Sequence, residues 1–313
     1  MNAYTDTRDA TFAELYDIAL QDPNVILLTA DTGAFKFKDF EKNLPRQFYN
    51  VGIAEQNAIS VAAGLALAGK RVYVFGISTF VTLRCYEQIK IDICCMNLPV
   101  TILGMGTGYG YSYDGPTHHI TQDISIMRAL PGLTFWSPSD CTLTGASLHL
   151  AYATGGPNFI RIDKGPLKPI YDPEHYDFSD GLTVLKGGKD LTIAATGPMV
   201  TQAYAVIEKL AGQGIDAGLI DVYRLKPLNN GLLVESLRSA SRLVTMEEHT
   251  LSGGFGSLIL EALSDGGLCI LTKRIGIPDT YRLEVGGREY VRSLDNLHVA
   301  GIVADILDWI KSR

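Results

Sequence analysis

The chain has 313 residues, 46% of them hydrophobic and 19% charged, with a formal net charge of -7. That is enough apolar material for one large domain or two ordinary ones with buried sheets. The acidic balance argues against a nucleic-acid partner, which would call for a basic face. No run reaches the ~18 uninterrupted apolar residues of a membrane span. The polar start MNAYTDTRDATFAELYD lacks the basic-then-apolar layout of a secretory signal, so a cytoplasmic protein is expected.

In chain order, Phe12, Leu15, Ile18 and Ala19 give a helical spacing over residues 9–22. VILLTAD (25–31) then reads as a buried strand. The alternation continues with a helix from Ala54 to about Ala68, strand RVYVFG, a helix from about Thr82 to Cys95, and strand PVTILGMG. A helix around 122–129, strand LTFWSP, a helix from Cys141 to Ala153 and strand NFIRI complete the first series. Continuous apolar strands alternating with helices describe a mostly parallel sheet covered on both faces.

From Gly165 to Lys189 the pattern lapses into a stretch rich in Pro, Gly and Asp, read as a linker. A second series follows: LTIAATG, a helix near 199–212, IDAGLIDV, a helix near 230–239, RLVTMEEH, a helix from about Gly254, LCILTKRIGI and a terminal helix near 296–312. The expected organisation is two α/β domains, 1–166 and 190–313, joined by a linker at 167–189. The five cysteines, Cys85, Cys94, Cys95, Cys141 and Cys269, form neither a CxxC pair nor a zinc spacing. Most fall in apolar patterns and read as small core residues of a reducing compartment.

Ligands of open parallel sheets collect outside the carboxyl ends of the strands, so the loops there carry the candidates. GMGTGYGYSYDGPTHHITQD combines close-approach glycines with Asp114, His118, His119 and three tyrosines. Its acid and histidines can accept, donate and titrate near neutral pH. In GISTFVTLRCYEQI, Phe80, Leu83 and Tyr86 lie three apart, a spacing that suits a core face as well as a platform. Arg8, Arg84, Arg161 and Lys164 could each hold an anion. EEHTLSGGFGS could receive an anion at a helix start but reads better as a packing element. In YNVGIAEQNAISVAAGLALAG, Glu55 stands at the mouth of an apolar helix with few basic residues near it in sequence.

GIAEQNAISVAAGLALAG, STFVTLRCYEQI and YDGPTHHITQDISIMRALPGLTFWSPSD, in that order, closely resemble the pyrimidine-binding domain of transketolases and deoxyxylulose-phosphate synthases. EEHTLSGGFGS resembles the C-terminal domain of the same proteins. The resemblance implies the thiamine-diphosphate-binding fold of pyrimidine type followed by the transketolase C-terminal domain. It also implies a thiamine diphosphate cofactor and Mg²⁺. Glu55 matches the glutamate that hydrogen-bonds N1′ of the cofactor's aminopyrimidine and so promotes proton loss from the thiazolium carbon; on this reading the cofactor is the acid's partner. Phe80 and Tyr86 match aromatic residues of the aminopyrimidine pocket, and Leu83 stands where many transketolases have a phenylalanine. Asp114 matches the acid that contacts the donor sugar's C2 hydroxyl, and His118 a histidine of the substrate channel with a catalytic role.

Departures from the family pattern bear on the substrate. Transketolases grip the sugar phosphate with two arginines, a serine and a histidine. Arg8 matches one arginine; Lys164 aligns with the other, while Arg161 fits the synthase branch. The serine position holds Phe35 and the histidine position Gly106. Lys36 or Lys38 could compensate, and an unphosphorylated or differently substituted sugar is equally compatible. The GDG motif and following asparagine that bind diphosphate and Mg²⁺ in the family are missing from this sequence, where SDGG at 264–267 lies in the wrong domain. The expectation is one subunit of a split transketolase, an α2β2 enzyme whose N-terminal partner carries GDG…N. It would move a two-carbon ketol unit between small sugars. The alternatives are the β subunit of a 2-oxo acid dehydrogenase, a deoxyxylulose-phosphate-synthase-like enzyme, and a non-enzymatic orphan half.

Overall fold

The computed structural model describes residues 6–172, 174 and 176–312. Helix α1 (Thr7–Gln21), capped by the Asp6 carboxylate on the Arg8 and Asp9 amides, leads into β1 (Val25–Thr29). Then come α2 (Phe37–Asn43), β2 (Phe48–Asn50), α3 (Glu55–Leu67) and β3 (Arg71–Ile77). Two short turns, α4 (Ser78–Val81) and α5 (Tyr86–Gln88), run into a π-helical turn at Ile89–Cys94. The first series closes with β4 (Val100–Met105), α6 (Asp123–Met127), β5 (Thr134–Trp136), α7 (Cys141–Thr154) and β6 (Asn158–Ile162).

The second series is β7 (Leu182–Lys186), β8 (Leu191–Ala195), α8 (Met199–Ala211), β9 (Ala217–Val222), β10 (Arg224–Lys226) and α9 (Asn230–Leu237). It continues through β11 (Arg242–Thr250), α10 (Phe255–Asp265), β12 (Leu271–Ile277), α11 (Arg288–Leu294) and α12 (Val299–Lys311). One sheet runs β10-β5-β6-β4-β3-β1-β2 and the other β12-β11-β8-β9-β7. Each is parallel except for one antiparallel edge strand, β10 against β5 and β7 against β9. None of the helices among the described residues is long and apolar enough to cross a membrane.

The central strands are apolar on both faces because helices cover both. Ile26, Leu28, Val72, Val74, Val100 and Ile102 point into one core. The alternate residues Leu27, Tyr73, Phe75 and Leu103 point into the other, with Leu27 opposite Tyr73 and Phe75 opposite Leu103. This period of two, apolar on both sides, is the signature of a doubly covered parallel sheet. All the carboxyl ends of β1, β3, β4 and β6 therefore open on one edge.

Several expectations need correction. The helix expected over 82–95 is broken. The Thr82 hydroxyl bonds the Ser78 carbonyl (2.6 Å) and the Cys85 thiol bonds the Phe80 carbonyl (3.1 Å), local contacts that compete with a regular helical ladder. Leu182–Lys186, within the stretch read as a linker, is a strand of the second sheet. Arg224–Lys226 crosses back to join the first sheet. Of the cysteines, only Cys85 and Cys94 are buried, while Cys95 and Cys269 are exposed.

Where the two halves meet, the buried Asp221 of β9 accepts from the Ser139 hydroxyl and from the Tyr171 hydroxyl (2.9 Å). Burial pushes its pKa up to about 7, against the pull of those two donors. Glu247 of β11 is likewise pushed by burial to about 7. Both groups bind protons more tightly folded than unfolded. Their stabilising contribution is therefore complete below pH ~4 and is lost as pH rises through ~7. Buried His249, lowered by burial to about 4, acts in the opposite sense and costs stability only as pH falls below its ordinary range. We expect Asp221→Asn to remove one source of the loss, so that its Tm advantage over wild type grows from pH 5 and levels off above pH ~7. Parallel Tm curves in a thermal scan across that range would refute the assignment.

Candidate active site

The loops after β2, β3, β4 and β6 meet on the open edge of the first sheet. Glu55 begins α3 just beyond β2; Phe80 and Arg84 follow β3; Gly106–His119 follow β4; Lys164 follows β6. The start of α1 is tied to the same edge, since the Thr7 hydroxyl bonds the Asp163 carbonyl (2.9 Å) and Asp6 bridges to Pro166. Arg8 is thereby delivered beside the post-β6 loop.

Glu55 is only 5% exposed. Contrary to the sequence expectation, it has a counter-charge within the chain: Arg84 Nη1 lies 2.7 Å from Glu55 Oε2. The same guanidinium lies over Phe80, its carbon 4.4 Å from the ring centroid. Gln56 Nε2 bonds the Arg84 carbonyl (3.2 Å), joining the starts of the two segments. The 29 residues separating Glu55 from Arg84 hide the pair from any local reading of charge.

From Phe80 the contacts continue along the edge. The Phe80 ring meets His118 edge-on at 5.1 Å, and His118 meets Tyr111 at 5.8 Å. Lys164 Nζ sits 3.9 Å over the Tyr111 ring and 3.9 Å from Asp114 Oδ2. Burial lifts the Tyr111 hydroxyl to about 12, with the nearby Arg8 charge opposing. Glu55, Phe80, His118, Asp114, Lys164 and Arg8 are thus brought to one edge, and Arg84 and Tyr111 join them. The two adjacent histidines diverge: His119 is buried against Tyr109 (4.9 Å) and burial lowers its pKa. His118 Nδ1 shares a hydrogen bond with the Thr117 hydroxyl (2.9 Å).

Tyr111 was visible in the sequence only as one of three tyrosines; its role emerges from Gly106. Gly106 has φ +92, and a Cβ there would stand 2.4 Å from the Tyr111 ring. The ring occupies the space that any side chain at 106 would need. A glycine at 106 and an aromatic at 111 are one structural choice.

Other residues expected at the site lie elsewhere or are otherwise engaged. Arg161 is buried and forked onto Asp123, with Nε–Oδ2 2.7 Å and Nη2–Oδ1 3.2 Å, so its guanidinium is committed to a buried ion pair rather than to a substrate. An isolated charge at that depth would be very costly, which explains the commitment. The Tyr86 hydroxyl bonds the Ile126 carbonyl (2.9 Å), and Leu83 remains 43% exposed beside Arg84. Phe35, at the expected serine position, is 72% exposed. Lys36 pairs with Asp39 (2.8 Å) and lies over Tyr16. At EEHTLSGGFGS the anion slot is filled by the chain itself: Glu247 accepts from the Phe255 and Gly256 amides at 2.5 and 2.9 Å.

Residues 3–169 match the family described as transketolase, pyrimidine binding domain, and residues 181–289 match transketolase, C-terminal domain. The chain belongs to the transketolase family. It is 33% identical, over 99% of its length and 96% of the relative's, to one of the subunits of apulose-4-phosphate transketolase from Phocaeicola vulgatus. It is 34% identical to the 6-deoxy-6-sulfo-D-fructose transketolase subunit SqwH of a Clostridium species, over 95% of this chain and 92% of that one. A solved split gene transketolase, described as an inactive β4 tetramer, superposes with TM-score 0.86 at 33% identity, covering 96% of this chain and 97% of that one. By this kinship the chain is a transketolase subunit. Against 1-deoxy-D-xylulose-5-phosphate synthase 1 of Geobacter sulfurreducens it is 36% identical over 96% of its own length but spans only 47% of that longer protein.

Within the transketolase edge, the pairing of Gly106 with Tyr111 gives a direct test. Gly106→Ala should destabilise the fold by roughly 2 kcal/mol or more, combining left-handed backbone strain with a clash. In a Tyr111→Ala background the same change should cost at least ~1 kcal/mol less, because only the clash is relieved. Equal costs in the two backgrounds, measured by denaturant melts, would show that the ring does not fill that space.

Proposed function

We propose that this chain supplies the aminopyrimidine half of a thiamine-diphosphate site shared with a second subunit. The pair would transfer a two-carbon ketol unit from a ketose with an anionic far end to an aldose. The observation that supports this most is the Glu55–Phe80 pair. It already holds a flat, nitrogen-bearing group, the Arg84 guanidinium, by a carboxylate hydrogen bond of 2.7 Å and a face contact of 4.4 Å. An aminopyrimidine needs the same two contacts, so the residues present fit the cofactor.

When bound, the cofactor would supply a nucleophilic carbon and an electron sink for C–C cleavage. The chain's own residues would do the rest. Glu55 would hold the ring nitrogen and keep the exocyclic amine poised to take a proton. Phe80 would support the ring face. His118, set by Thr117 and wedged between Phe80 and Tyr111, would orient substrate hydroxyls and pass protons. Asp114, half-paired with Lys164, would accept from a donor hydroxyl. Lys164 and Arg8 flank Tyr111 and would take the anionic end of the sugar, a role open to phosphate or sulfonate. The relatives named for apulose 4-phosphate and 6-deoxy-6-sulfofructose carry one of each. Diphosphate and Mg²⁺ would fall to a partner subunit with a GDG…N motif, in an α2β2 enzyme. The description of the related β-only tetramer as inactive agrees with this division of labour. The match that runs the length of both chains is with the split transketolase subunits, whereas the chain spans about half the length of the synthases.

Two measurements test the proposal. The co-purified pair with thiamine diphosphate and Mg²⁺ should transfer a ketol unit from a ketose phosphate or sulfonate, and neither chain alone should. Glu55→Gln should slow hydrogen–deuterium exchange at the cofactor's C2 carbon by about 10²-fold or more, the scale of a lost proton-transfer group. Exchange at the wild-type rate in that variant would remove Glu55 from its role.

A further inference from the structure

Arg84 read in the sequence only as one of four cations able to hold an anion, yet it makes the two contacts proposed for the aminopyrimidine. We propose that Arg84 is an internal cap of the cofactor site: its guanidinium occupies the place of the aminopyrimidine and must swing away when thiamine diphosphate enters. The inference rests on the shared cofactor site proposed above.

Three features carry it. The guanidinium is planar, like the ring it would stand in for, and sits 4.4 Å from the Phe80 centroid, within the range of a cation–π stack. Its Nη1 bonds the one carboxylate oxygen, Glu55 Oε2, at 2.7 Å. And the two ends of the contact differ in exposure. Glu55 is buried at the start of α3, whereas the Arg84 side chain is 45% exposed and leaves from the irregular segment between α4 and α5. On this proposal the acid and the aromatic stay in place and the exposed arginine side chain is the group that moves. Solvent is adjacent to the guanidinium, so its own charge is rehydrated as it leaves, while the bare Glu55 carboxylate keeps the uncapped state the minor one.

Two groups cannot share the Glu55 oxygen and the Phe80 face at once. The capped and cofactor-bound states are therefore exclusive, and the capped population lowers the apparent affinity in proportion. A cap populated ~70–90% of the time weakens binding about three- to tenfold. Since cofactor association must wait for uncapping, the on-rate falls as well.

The test uses the assembled pair with Mg²⁺ and measures thiamine diphosphate binding by calorimetry and by stopped-flow protein fluorescence, with no substrate present. Arg84→Ala should bind the cofactor about three- to tenfold more tightly and associate faster. Arg84→Lys, which keeps the charge but lacks the planar fork, should bind more tightly than wild type too. The sign is informative, because removing a positive charge would by itself weaken uptake of an anionic diphosphate. Weaker or unchanged binding in the alanine variant would overturn the cap. Circular dichroism of both variants, expected to match wild type because Arg84 is half exposed, excludes misfolding as the cause. A wild-type pair that binds no thiamine diphosphate would overturn the shared site itself. Binding by wild type with no response to Arg84 would overturn the cap alone.

Discussion

The edge proposed as catalytic depends on one buried ion cluster. Arg288, on α11, forks onto Asp163 at 2.8 and 2.9 Å and onto Glu248 at 2.6 and 3.0 Å. Arg292 adds two more bonds to Glu248. Burial alone would push Glu248 up, but the two arginines hold it down at about 2, so it is a carboxylate at any working pH. Asp163 directly follows β6 of the first sheet and Glu248 lies on β11 of the second, so the cluster clamps the two halves together. Removing one partner of such a cluster leaves an uncompensated charge at a cost of ~3–5 kcal/mol, whereas the intact cluster adds little net stability. Its value is positional.

What it positions is the loop after β4. Thr107 donates to Asp163 (2.5 Å) and its carbonyl and hydroxyl both accept from Arg288. The Tyr109 amide donates to Glu248 (3.2 Å), and the Tyr109 hydroxyl to Asp295 (2.6 Å). Gly108 permits this approach, since a Cβ there would lie 2.5 Å from the Glu248 side chain. The loop then returns through Gly108 and Ile120, paired amide to carbonyl in both directions. Between those two anchors stand Tyr111, Asp114 and His118. The C-terminal half thus contributes to the first sheet's active edge without placing a residue at Glu55: it fixes both ends of the loop that carries the substrate-side groups.

Much of this was legible in the sequence, and the limits have physical causes. Doubly apolar strands alternating with helices announced parallel sheets because both faces of each strand are covered, and the order of the loops followed. The motif residues Glu55, Phe80, Asp114 and His118 converge because each follows the carboxyl end of a strand in the same sheet, a constraint of topology rather than of local sequence. Local reasoning failed where a group's partner is distant. Arg161 looked like an anion grip until Asp123, from a different element, was seen to consume it. In the Leu182–Lys186 strand at a sheet edge only Leu182 is buried and the rest alternate between half-buried and exposed, so it showed no continuous apolar run amid the prolines and glycines around it. The break after Phe80 came from hydroxyl and thiol bonds to nearby carbonyls, which no hydrophobic periodicity reports.

On the reading proposed above, Glu55 shows how half of an active site can exist by itself. A carboxylate at 5% exposure beside an apolar helix face is tolerable only with a partner. In the isolated chain Arg84 provides one from the next loop, and Phe80 keeps that guanidinium in register. A cofactor with a ring nitrogen and a flat face can substitute for the arginine contact by contact, so Glu55 need never be buried and bare in either state. A fixed internal cation would not allow this, because its removal would leave two unpaired charges. A half-exposed arginine on an irregular segment does, because water takes up its charge as it leaves. On this proposal the exchange asks only a side-chain rotation of Arg84, while the Gln56 bond to the Arg84 carbonyl (3.2 Å) keeps the backbones of the two segments together.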